Sequence, residues 1–176
     1  MAEPPPLLNT YAALVTTFTS LLTVSIHTIL YERSIYPRTT FLSTRKYNYP
    51  VRQSRHPKVC AWINDAVAAV EEELLKGIVA RVALVIYSPA ALPLERFLFD
   101  VSGLPEVPAA EALTEFESEG ATQVNTVDLE EQFRDVMRKL TFCGAGLGEL
   151  PAGCTFTISI ELKSEAEPPI GVGHDS

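Results

Sequence analysis

Cysteine is scarce in this chain. Its three cysteines, Cys60, Cys143 and Cys154, are an odd number with no CxxC or HxxxH neighbour. That pattern excludes a disulfide scaffold and a zinc ribbon, and it points to buried thiols in a reducing compartment. Histidine is equally sparse: His27, His56 and His174 are far apart, and no GxSxG, HExxH or paired-carboxylate motif accompanies them. Without such a set there is no candidate general base or nucleophile, so the chain reads as a non-enzyme needing no cofactor and no metal. Lys and Arg number 14 against 22 Asp and Glu, a net charge of −8, which argues against bulk attraction to nucleic acid or anionic lipid. With 176 residues, 47% of them hydrophobic, the chain has the size and composition of one domain around one core.

Asp, Glu, Lys and Arg are also missing from Pro4 to Tyr31, a length that could span a bilayer. Thr16, Ser20, Thr23 and His27 nevertheless recur on one side of this segment and Leu14, Phe18, Leu21, Leu22 and Ile29 on the other. That is the pattern of a helix half buried in a protein core, so no membrane is expected. The opening "MAEPPPLLN" lacks the positive start of a signal peptide and reads as a disordered segment, residues 1–9.

The elements follow in order. A long helix runs from about Thr10 to Tyr36, where Pro37 stops it, and residues 39–54 read as extended or looped. His56-Pro57 opens a second helix, Ile63, Val67, Val70 and Leu74 form its buried stripe, and Gly77 ends it. "VARVALVIY" reads as a central strand covered on both faces, joined by "SPAALP" to "LERFLFDV" in an antiparallel hairpin. Ser102 to Asn125 reads as a surface loop. A third helix, about Thr126 to Phe142, buries Leu129, Phe133, Val136, Met137 and Leu140, while Glu130, Arg134 and Arg138 line up at i, i+4 and i+8 on another face. "CGAGLGELPAG" reads as a flexible helix exit, since a phosphate cradle needs its strand before the glycines and its helix after them. "CTFTISIELK" alternates as a strand with one wet face, and residues 164–176 read as a disordered acidic tail. The fold class is α+β, an antiparallel sheet packed against three helices.

Two features invite function. Seven of the 14 Lys and Arg lie between Arg33 and Lys58 with no acid among them. A small nucleic-acid-binding protein using this stretch is one reading, and a solvated basic loop in an acidic protein is the other. Trp62, the single tryptophan, sits beside the buried stripe of the second helix, where an aromatic is either an interface anchor or a core residue.

At "HTILYERSIYP", "RKYNYPV" with the following "HP", and "PAGCTFTI" the chain resembles the HORMA-domain accessory subunits of DNA polymerase zeta, relatives of the mitotic-arrest-deficient checkpoint proteins. The likeness runs from Thr10 to Lys163, giving an expected HORMA domain over residues 10–163. It implies a nuclear, also cytoplasmic, non-catalytic adaptor of translesion DNA synthesis. Such an adaptor takes a proline-containing peptide of the polymerase catalytic subunit, bridges to a scaffolding translesion polymerase and to repair or cell-cycle proteins, and pairs HORMA to HORMA. On this resemblance Trp62 stands at the partner-peptide site, and Arg134 and Ala145 stand at the dimer interface. Family members continue past the "CTFT" strand into a safety belt that closes over the peptide. The chain departs from that pattern, so the expectation is an incomplete HORMA domain with its C-terminal safety belt missing.

Overall fold

The computed structural model describes residues 10–105, 107, 109–114 and 126–164. The expected disordered segments, 1–9 and 164–176, lie outside these residues but for Ser164.

Helix α1, Tyr11–Glu32, begins where the Thr10 side chain accepts a hydrogen bond from the Ala13 N–H. It ends four residues short of the expected Tyr36. Ser34 takes a left-handed φ of 53°, and the N–H groups of Arg33, Ser34 and Ile35 fold back on the carbonyls of Ile29, Tyr31 and Leu30. The helix is thus closed by its own C-terminal turn before Pro37 is reached. By length and hydropathy α1 could cross a membrane; in this fold it is the central helix, with Val15, Leu22, Ile26, Ile29 and Leu30 buried.

Residues expected to be loop form a hairpin, β1 (Phe41–Lys46) and β2 (Tyr49–Ser54). Tyr47 and Asn48 between them have φ of 55° and 54°, the double left-handed turn that matches strand twist. The hairpin lies over the second half of α1 and corrects the reading of its polar stripe. Thr16 and Ser20 are exposed, but His27 is buried, and its Nδ1 accepts from the Ser54 N–H at 3.1 Å. Burial lowers the His27 pKa and favours the neutral ring.

Helix α2, Pro57–Leu75, starts as expected, with His56 Nδ1 accepting from the Lys58 N–H and Pro57 in the first turn. Ile63, Val67, Val70 and Leu74 are buried, and Gly77 follows with φ 75°. Strand β3 (Val79–Tyr87) is the centre of a three-stranded antiparallel sheet, between β4 (Pro93–Asp100) and β5 (Thr155–Leu162). Val82, Leu84 and Ile86 pair laterally with Phe99, Phe97 and Glu95 on one side and with Ile160, Ile158 and Phe156 on the other. These residues make the face turned to the helices.

The described part of the expected surface loop is not featureless. A 3-10 turn, Ala109–Glu111, leads into Ala112, which is buried and accepts from the Ala12 N–H at 2.9 Å. Helix α3, Thr126–Phe142, buries Phe133, Met137 and Leu140 against α1, with Leu129 and Val136 half-buried. The glycine run is a further turn of helix, α4 (Gly144–Leu147), in place of the flexible exit expected. It is held by Arg33, whose guanidinium pairs with Glu95 through two hydrogen bonds and donates to the Gly148 carbonyl at 2.7 Å. A Cβ added at Gly144 would sit 3.4 Å from that guanidinium, an ordinary van der Waals contact.

Candidate functional site

On α2, Trp62, Ala66, Ala69 and Glu73 recur at i, i+4, i+7 and i+11, a second face beside the buried stripe. This face looks across to β5, and the two elements form the walls of a groove. The Trp62 ring, 42% exposed, stands edge-on to Phe156 with centroids 4.9 Å apart and planes at 78°. That contact divides the groove. One hollow, of 580 Å³, is lined by Ile35, Tyr36, Val59, Trp62, Cys154 and Phe156, with His56 and Lys58 at its rim. The other, of 310 Å³, is lined by Trp62, Ala66, Ala69, Ile158 and Ile160 and ends at Glu73. The alanines make room where a larger side chain on α2 would close the gap to Ile158 and Ile160.

One wall has hydrogen-bonding capacity to spare. Among the described residues β5 pairs only with β3, so every second backbone N–H and C=O of Thr155–Leu162 points away from the sheet. The groove therefore combines apolar hollows for side chains with an open strand edge for a main chain, the two things an extended peptide requires. At its far end the Glu73 Oε2 is buried with no partner among the described residues, while Oε1 accepts from Lys76 at 2.8 Å.

The other expected site residues lie elsewhere. Arg134 is half-buried, and its Nη1 donates to the Tyr47 carbonyl at 3.3 Å, so α3 holds the turn of the β1–β2 hairpin. It forms no ion pair with Glu130 among the described residues, contrary to the i, i+4 alignment; Arg138 pairs with Asp135 instead. The Tyr47 ring packs edge-on against Phe133, and burial, helped by the Glu130 charge, pushes its pKa up to about 12. Ala145 is exposed on α4 and lines a hollow with Arg33, Arg38 and Phe142, apart from Trp62.

The basic stretch is broken up by the fold. Arg33 is buried in its pair with Glu95 and cannot meet phosphate. Arg38 and Arg52 stack on the Tyr31 ring, 4.9 and 5.0 Å from its centroid. The cysteines are free and half-buried, less enclosed than expected; Cys60 donates to the Ser54 carbonyl and Cys154 to that of Pro151, each at 3.2 Å. Burial raises the pKa of Cys143, which keeps it a thiol. Among the described residues no three His, Cys, Asp or Glu side chains cluster as metal ligands.

Sequence reasoning singled out Trp62 and no other residue of the groove. The signal was available in the helical spacing of Ala66, Ala69 and Glu73 from Trp62, but nothing local says that β5 will lie opposite.

Comparison with known proteins bears on this geometry. The model of the HORMA domain matches residues 15–169. The mitotic spindle assembly checkpoint protein MAD2B of Gallus gallus is 34% identical over 145 residues, 82% of this chain and 64% of that protein. The DNA polymerase zeta processivity subunit of Schizosaccharomyces pombe is 36% identical over 149 residues, 83% of this chain and 67% of that one. The chain thus spans 64% of the length of the Gallus gallus and Homo sapiens MAD2B proteins. Among solved structures, one of the mitotic checkpoint complex superposes with a TM-score of 0.71 at 19% identity, over 93% of this chain and 82% of that one. Caenorhabditis elegans HTP-2 bound to a HIM-3 closure motif superposes at 0.64 with 16% identity, over 100% and 84%. The structural likenesses speak to fold, the sequence matches to descent, and both agree with the element order above: the chain belongs to the HORMA-domain family.

Proposed function

We propose that this protein is a non-catalytic adaptor of translesion DNA synthesis, and that its α2–β5 groove takes an extended, proline-containing segment of the DNA polymerase zeta catalytic subunit. The observation that carries the reading is the groove itself. A half-exposed tryptophan parts two apolar hollows beside a strand edge that, among the described residues, is open. Proline suits such a site because it keeps a segment extended and reduces the entropy lost on binding. Relatives named as polymerase zeta processivity subunits supply the polymerase, and a structural neighbour seen with a closure motif supplies the idea of a captured segment.

The adaptor acts by holding two proteins together, so a second surface is needed. Arg134 and Ala145 are the residues we assign to HORMA-to-HORMA pairing, and a scaffolding translesion polymerase and repair or cell-cycle proteins are further partners in this reading, which places the protein in the nucleus. The groove reading is tested by titrating the chain with proline-containing peptides of the catalytic subunit, beside duplex and single-stranded DNA, at low and high salt. Peptide binding that is saturable and nearly indifferent to salt is expected. Binding of DNA alone, falling steeply with salt, would replace the adaptor by the nucleic-acid reading of the Arg33 to Lys58 stretch.

A further inference from the structure

A recess of 360 Å³ lies between α1, the β1–β2 hairpin and the start of α2, away from the Trp62 groove. Its charged lining is all of one sign: Arg45, Lys46 and Arg52 line it, and among the described residues no carboxylate does. Ser20 on α1 and Asn64 on α2 add uncharged hydrogen-bonding groups. In a chain of net charge −8, three cations around one hollow with no acid among them call for a counter-charge. Arg52 is partly engaged, since it stacks on Tyr31 and feels the Glu32 carboxylate. Arg45 has no hydrogen bond or ion pair among the described residues, and Lys46 only lies over the Tyr47 ring, 5.5 Å from its centroid.

A second observation comes from the floor. His27 is 4% exposed and lines the same recess. Its Nδ1 is occupied as the acceptor of the Ser54 N–H, so the neutral ring carries its proton on Nε2. Among the described residues that N–H has no acceptor, and its nitrogen is not among the enclosed polar atoms, so a group entering the recess can reach it. The recess therefore has a neutral N–H donor at its floor and positive side chains at its mouth.

We infer that this recess binds a single phosphoryl group carried by a phosphorylated serine or threonine side chain of a partner protein. A phosphoryl group brings three acceptor oxygens and nearly two negative charges, which suits an arginine fork, an ammonium and an imidazole N–H better than a carboxylate would. The site is concave and local. Of the other cations of the stretch, Arg33 is taken up in its buried pair with Glu95 and Arg55 and Lys58 do not line the recess, so a nucleic-acid backbone would meet an interrupted track in a protein of net charge −8.

The test titrates the full chain with inorganic phosphate, and then with a short glycine- and alanine-flanked phosphoserine peptide and its unphosphorylated twin, following Arg45 Nε–H and the His27 ring by nitrogen–proton spectroscopy. Saturable shifts of both are expected with phosphate and with the phosphopeptide, and none with the twin. Arg45→Gln and Lys46→Gln should each weaken binding about tenfold, the loss of one charge-assisted hydrogen bond. Both side chains are exposed, so the variants should melt where the parent does, and Lys139→Gln, on α3, should change nothing. Absence of saturable shifts, or shifts that survive both substitutions, would overturn the site. Displacement of the phosphopeptide by a short single-stranded oligonucleotide at equal concentration would assign the recess to nucleic acid instead.

Discussion

The indole of Trp62 and the phenyl ring of Phe156 meet edge to face at 4.9 Å, and this contact joins α2 to the outer strand of the sheet across the groove. It lies outside the buried core, with the indole 42% exposed. If the groove takes a partner segment, a ring so placed should contribute more to that partner than to the fold. Trp62→Ala should cost the free protein about 1 kcal/mol, the order of one aromatic pair. It should weaken peptide binding by ~2 kcal/mol, about thirtyfold. Calorimetric titration beside thermal melting separates the two; a mutant that unfolds without a separable binding defect would return Trp62 to the core.

A second prediction concerns the pair that ties three parts of the chain together. Arg33 closes α1, Glu95 belongs to β4 and the Gly148 carbonyl follows α4, and the two charged side chains are only 4% and 10% exposed. Glu95→Gln leaves a buried guanidinium without its counter-charge and should cost ~3–5 kcal/mol. The joint replacement Arg33→Met with Glu95→Leu removes both charges and should recover most of that loss. Chemical denaturation of the single and double variants measures the difference.

What could be read from the sequence followed from how local each signal is. Helix α2 was legible at both ends because His56-Pro57 and Gly77 are punctuation that acts within a turn, and β3 because nine residues of mostly β-branched and apolar type have one sensible fate. The β1–β2 hairpin was not legible. Its turn is Tyr47-Asn48, and a tyrosine at positive φ carries no turn signal; the conformation is sustained by Phe133 against the ring and Arg134 on the carbonyl, both about ninety positions away. The same hairpin covers His27, so the wet stripe on α1 failed at the point where a distant element intervened. Arg134 illustrates the limit of helical spacing: Glu130 is in reach by geometry, yet the side chain is committed to the hairpin.

The burial of His27 gives stability a pH dependence. Its folded pKa lies below the ordinary 6.5 because burial penalises the imidazolium. As pH falls through 6.5 the unfolded chain takes up the proton first, so the His27 contribution, complete above that value, declines until the folded pKa is reached. His27→Gln, which can still accept from the Ser54 N–H, should flatten the slope of unfolding free energy below pH ~6.5 relative to the parent. Equal slopes in urea titrations across that range would show that His27 is not the group responsible.

Arg134 should display two effects. Losing its 3.3 Å bond to the Tyr47 carbonyl should destabilise the hairpin by about 1.5 kcal/mol, the low end for a hydrogen bond from a charged donor. If the same residue pairs HORMA domains, Arg134→Ala should also shift dimer to monomer in sedimentation. Arg134→Lys keeps the charge without the fork and should restore the melting temperature before it restores pairing. A parent chain that stays monomeric at high concentration would leave Arg134 with the hairpin role alone.

The strand edge makes the sharpest test of how a peptide sits. In an antiparallel sheet consecutive residues of a strand direct their backbone groups to opposite sides, so in Thr155–Leu162 alternate amides are held by β3 and the others face the groove. A peptide that adds as a further strand must bond those outward amides, whereas one held only by the hollows flanking Trp62 would leave them to water. Hydrogen exchange should therefore gain protection with a period of two along β5 when peptide is added, on the amides that exchange fast in the free protein. The amides already paired with β3 should change little, and β4, at the opposite edge, should not change at all. A peptide N-methylated at alternate residues should bind normally in one register of methylation and fail in the other, because only one set of its N–H groups faces β5. Uniform protection across β5, or tolerance of both methylation patterns, would place the peptide in the apolar hollows and remove strand addition from the mechanism.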